Sequence, residues 1–166
     1  NSKHSNYQVL PSSIQDIIGQ DRVKTTTRHE QERLDYLKEK LDFKHKTILD
    51  IGGNTGYFTF EAINLGAEHV CLYEGNANHS EFVATASKIL NIEDKVTTVN
   101  EYYNFSGIGN KYDIVLLFNV LHHIGDDYGG SVKDIDKAKA YMLTQLNNMA
   151  KIADTLVLQI GFNWQG

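Results

Sequence analysis

Residues 47–60, Thr-Ile-Leu-Asp-Ile-Gly-Gly-Asn-Thr-Gly-Tyr-Phe-Thr-Phe, restrict the possible fold more than any other part of the chain. Ile48, Leu49 and Ile51 form a short apolar run, the pattern of a parallel strand covered on both faces. Asp50 falls near the carboxyl end of that strand, where open α/β sheets bind ligands. Gly52, Gly53 and Gly56 then allow a sharp turn and a close backbone approach. Tyr57 to Leu65 has helical apolar spacing at Phe58, Ala62, Ile63 and Leu65, and Gly66 is a natural stop. A strand, a glycine turn and a helix in that order aim free helix N–H groups at a pocket. The predicted class is α/β, with a Rossmann-like, doubly wound, mostly parallel sheet of about five strands.

Two kinds of nucleoside-binding protein use such a junction. Dinucleotide dehydrogenases require G-x-G-x-x-G. Counting from Gly52, the third and sixth places here are Asn54 and Tyr57, so that frame fails. The looser pattern Asp50-x-Gly52-x-x-x-Gly56 fits and resembles motif I of the class I S-adenosylmethionine-dependent methyltransferases, with Asn54 in place of a frequent glycine. Val70-Cys71-Leu72-Tyr73-Glu74 reads as a second strand ending in an acid. Glu74 lies 24 positions after Asp50, near the spacing of the acid that holds ribose hydroxyls. Asn78-His79-Ser80-Glu81 has the form of a capping box before an apolar stripe at Phe82, Val83, Ala86, Ile89 and Leu90. Lys95 to Val99 is a third predicted strand, followed by Asn100-Glu101, and Tyr112 to Phe118 a fourth. Asn119-Val120-Leu121-His122-His123 resembles motif IV of the small-molecule members of that family, not the Asn-Pro-Pro-Tyr type of amino-directed nucleic-acid enzymes. A helix is expected from about Asp134 to Ala150, capped by Ser131, and a fifth strand from Thr155 to Ile160.

The resemblance implies S-adenosyl-L-methionine as cofactor and S-adenosyl-L-homocysteine as product. It implies cofactor contacts from Asp50, Gly52, Gly53, Asn54, Gly56 and Glu74. Asp50 would orient the ammonium, Glu74 the ribose, and Glu101 or Asn100 the adenine amino group. Asn119 would lie near the reacting sulfur. His122 or His123 is the candidate catalytic base for a hydroxyl acceptor, since histidine titrates near neutral pH; the alternative is a loop hydrogen bond. The family's sheet has seven strands, so the chain reads as a piece of a longer domain, cut at its C-terminal side. Residues 1–43 are expected to form a helical cap and residues 44–166 the cofactor-binding core. Thr27-Arg28-His29-Glu30 has capping-box form ahead of Leu34, Leu37 and Leu41. Arg28 or Arg33 would either pair with the cofactor's carboxylate or, the preferred reading, sit on a solvated face.

Composition narrows the partners. At 166 residues, with 41% hydrophobic and 22% charged content, this is one globular domain. A net charge of −5 disfavours nucleic acid as main partner. The expected acceptor is a small or carrier-linked molecule, O-methylation is favoured, and a sugar or polysaccharide precursor is one choice. No apolar run approaches the ~18 residues of a membrane span, and a cytoplasmic home is expected. Cys71 is the only cysteine. His122, His123, Asp126 and Asp127 cluster in sequence, but solvated loop acids are the simpler reading and no metal is expected. Tyr57, Tyr128, Phe162 and Trp164 are candidates for an acceptor pocket or for packing, and Gly129-Gly130 for a mobile loop. Two other classes stay open: an NAD-linked oxidoreductase, and a non-catalytic module of the same fold that binds a partner.

Overall fold

The computed structural model describes residues 8–19, 22–23, 25–121 and 135–160. Two helices come first, α1 (Ser12–Ile18) and α2 (Glu30–Lys40). Strands and helices then alternate: β1 (Thr47–Ile51), α3 (Tyr57–Asn64), β2 (His69–Tyr73), α4 (Ala77–Ile89) and β3 (Val96–Val99). They continue with β4 (Tyr112–Phe118), α5 (Ile135–Met149) and β5 (Ala153–Gln159).

The five strands form one sheet in the order β3-β2-β1-β4-β5. Every pairing is parallel. Among the described residues the sheet is therefore wholly parallel, and the strand order reverses between β1 and β4. That is the switch point at which such sheets open a crevice. Ile48, Leu49, Ile51, Val70, Leu72, Val115, Leu116 and Leu117 are all at most 1% exposed, so the apolar runs in the sequence are explained by helices on both faces.

Boundaries moved in small ways. β5 starts two residues earlier than predicted, at Ala153, because Tyr112 pairs with Ala153 and extends the ladder beyond the apolar stretch. α4 is capped by Asn76 rather than Asn78: the Asn76 side chain accepts from the amides of Asn78 at 3.0 Å and His79 at 3.3 Å. Thr27 and Glu30 do meet, with Thr27 Oγ1 donating to Glu30 Oε2 at 3.0 Å, but the cap of α2 is His29, in left-handed geometry. Leu65 and the left-handed Gly66 end α3 as expected.

Candidate functional site

Because β1 to β4 run parallel, their carboxyl ends bring four segments to one edge of the sheet: Gly52–Gly56, Glu74–Asn76, Asn100–Tyr102 and Asn119. The first of these is a strained loop. Gly52, Asn54 and Gly56 have φ of 70°, 55° and 79°, a region that costs a non-glycine residue such as Asn54 about 1 kcal/mol or more. Gly53 admits no side chain, since a Cβ there would lie 2.7 Å from Asp50 Oδ2.

Glu74 holds this loop. Its Oε2 accepts the Asn54 amide at 2.8 Å, and its Oε1 accepts the Asn76 amide at 2.8 Å. One carboxylate thus ties the glycine loop to the start of α4. A carboxylate offers about four lone-pair positions, so both oxygens keep capacity for a diol. Asn100 Nδ2 donates to the Glu74 carbonyl at 3.0 Å, while Glu101 is exposed beside it. Tyr102, absent from the sequence-derived set, lays its ring against the backbone of Gly75 and is 52% exposed.

Asp50 is 2% exposed, lies beneath Gly53, and its Oδ2 accepts the Thr59 hydroxyl at 2.7 Å. Burial pushes its carboxyl up to about 6, opposed by the Thr59 hydrogen bond and assisted by the charge of Glu74. It supports the loop from below.

Arg33 corrects the reading as a solvated face. Its side chain is 20% exposed. The guanidinium carbon sits 5.1 Å from the Phe58 ring centre and 5.4 Å from that of Phe118. Its nitrogens donate to Gln159 Oε1 at 3.1 Å, the Arg28 carbonyl at 3.2 Å and the His29 carbonyl at 3.3 Å. Burial lowers its pKa, and Glu30, with Oε1 3.7 Å away, opposes that. The bond to Gln159 fastens α2 to β5, and the other two close on the backbone just before α2. Tyr57 is core: it is 2% exposed and its hydroxyl donates to Gln31 Oε1 at 2.9 Å. Asn119 is left-handed (φ 56°), and its amide donates to the Gln159 carbonyl at 2.8 Å, one step past the β4–β5 ladder.

His122, His123, Asp126, Asp127, Tyr128, Gly129, Gly130, Ser131, Asp134, Phe162 and Trp164 lie outside the described residues. Among the described residues no group of three or more metal-binding side chains occurs, and no helix is long and apolar enough to cross a membrane.

Residues 26–149 match the family model described as "Methyltransferase domain". The chain belongs to the methyltransferase domain family. No curated protein matches it. Solved structures share its fold. The bifunctional kinase-methyltransferase WbdD superposes over 99% of this chain and 36% of its own, with a TM-score of 0.66 and 17% identity. The magnesium protoporphyrin IX methyltransferase of Synechocystis PCC 6803, solved with bound S-adenosylhomocysteine, covers 76% of this chain and 52% of its own, with a TM-score of 0.54 and 18% identity. The methyltransferase domain thus spans about a third to a half of the length of these two proteins. Its architecture is that of the class I S-adenosylmethionine-dependent methyltransferases, as motif I suggested.

Proposed function

We propose that this domain binds S-adenosylmethionine against the Gly52–Gly56 loop and catalyses methyl transfer to a hydroxyl of a small or carrier-linked acceptor, for which a sugar or polysaccharide precursor is one choice. The observation that carries this reading is the convergence of Glu74 and the glycine loop at the β1/β4 switch point. The Glu74 carboxylate suits ribose hydroxyls, which S-adenosylmethionine and NAD both carry, and the failed G-x-G-x-x-G frame favours the former. The bound S-adenosylhomocysteine of the Synechocystis relative supports the same cofactor.

The cofactor, when bound, supplies an activated methyl carbon on a sulfonium. The chain's own part is binding and alignment. Glu74 would accept from the ribose, Glu101 or Asn100 would meet the adenine amino group, and backbone around Gly52 and Asn119 would contact the methionine portion. In the transfer, the acceptor oxygen–carbon bond forms as the carbon–sulfur bond breaks. The hydroxyl proton passes to His122 or His123, which follow Asn119 closely in sequence.

Calorimetric titration with S-adenosylhomocysteine, with NAD as control, tests the reading. One-to-one binding of the first alone, lost in Glu74→Ala and Gly52→Val, is the expected result. Binding of NAD instead would restore the dehydrogenase. Binding of neither to the folded chain would favour a partner-binding module.

A further inference from the structure

The N-terminal arm reaches the glycine loop through Gln8. This residue is 9% exposed, unusual burial for a glutamine. Its Oε1 accepts the Thr55 hydroxyl at 2.9 Å and the Tyr57 amide at 3.3 Å. Those two donors flank Gly56, which caps α3 and has no side chain with which to do it. Gln8 therefore supplies, from 49 positions away, an acceptor for the first of the free amides of α3. The rest of the arm is fastened along the same helix. The Ser12 amide donates to Glu61 Oε1 at 2.7 Å, and Asn64 Nδ2 donates to Ser12 Oγ at 3.2 Å. Ile14, 4% exposed, packs in one cluster with Phe60, Leu72 and Val83.

We infer that Gln8 is a positioning residue for the cofactor, acting by holding the glycine loop in its ligand-ready shape; this rests on the cofactor reading above. The loop carries left-handed backbone at Asn54, the non-glycine among its three positive-φ residues, and its two glycines leave it conformationally free unless neighbours hold it. Glu74 grips it at Asn54, and Gln8 grips it at Thr55 and Tyr57. Without the second grip, ligand binding would have to order the loop and would lose affinity accordingly.

The test is calorimetric titration of the wild-type chain, Gln8→Leu, Gln8→Glu, Thr55→Val and the Gln8→Leu/Thr55→Val double variant with S-adenosylhomocysteine. Melting temperatures are recorded for each. Gln8→Leu keeps the bulk and removes the acceptor; the expected loss is about tenfold in affinity, in keeping with two ordinary hydrogen bonds. Gln8→Glu keeps the acceptor at the same reach, beside a helix N-terminus that favours negative charge, and stays within about twofold of wild type. The double variant loses less than the sum of its parts. Ile152→Val, in the core cluster around β4 and α5, lowers the melting temperature without moving affinity. Wild-type affinity in Gln8→Leu, or an equal loss in Gln8→Glu and Gln8→Leu, would overturn the positioning role while leaving the cofactor reading intact. Absence of binding by the wild-type chain would sink both.

Discussion

Helices α3 and α5 lie on opposite sides of the β1/β4 boundary in the chain, and they are built to different standards. α3 buries six of its eight residues, Tyr57 to Ala62, and has α1, α2 and β2 against it. α5, nearly twice as long, keeps Tyr141 44% and Leu143 60% exposed, and no residue of the neighbouring β5 is fully buried. The tightly packed helix begins at the glycine loop. The lesson is that burial along a helix is densest where the chain leaves the glycine loop, while β5 and the outer face of α5 stay more exposed.

Substitutions at matched chemistry put that contrast at risk. Phe60→Ala, at a side chain with no exposure, is expected to cost about 3–5 kcal/mol. Denaturant unfolding would measure it, and a cost below that of an α5 core residue such as Met149→Ala would break the comparison.

Asp50 sharpens it through pH. Its carboxyl, pushed up to about 6 by burial, stands above the ordinary aspartate value of about 3.8 that it regains on unfolding. The folded state thus binds the proton more tightly, and stability falls as pH rises from about 4 to about 6. The full loss above pH 6 is roughly 3 kcal/mol. Asp50→Asn removes that slope and can still accept from Thr59. Wild type should therefore weaken relative to the variant between pH 4 and 7 in parallel urea titrations; parallel curves would show that burial does not raise this carboxyl.

Asn76→Ala removes the side-chain cap of α4 and should cost about 1 kcal/mol, read from the urea midpoint. Leu143→Ala, on the exposed face of α5, should stay within about 0.5 kcal/mol of wild type. A larger loss would reveal packing on α5 that the contrast denies.

These differences track what a linear sequence can display. The β1–Gly52–α3 junction and the Tyr112–Phe118 strand were legible because their signals are local: apolar runs, glycines and a helix period. The place of Glu74 at the end of β2 was legible from the apolar run before it, yet its grip on the Asn54 and Asn76 amides was not, since backbone partners leave no residue-type mark. The capping-box form of Asn78-His79-Ser80-Glu81 points to Asn78, whereas the cap that forms is Asn76, two positions earlier. Arg33 looked solvated because the rings that enclose it come from Phe58 and Phe118, distant in the chain. Gln8 gave no signal at all: a single polar residue in an irregular arm becomes meaningful only when the fold brings it to α3.

The register of the sheet also has a consequence in time. β1 joins β2 after a short excursion, but its other neighbour, β4, is 66 positions away along the chain. During synthesis at about 5–20 residues per second, β4 trails β1 by about 3–13 s. For that interval β1, β2 and β3 can assemble as a sheet of three, with α3, α4 and the arm in place, while the far side of β1 stays bare. The cofactor-loop half of the molecule is thus the half that can form first, and the growing chain must guard one apolar strand edge until β4 leaves the ribosome.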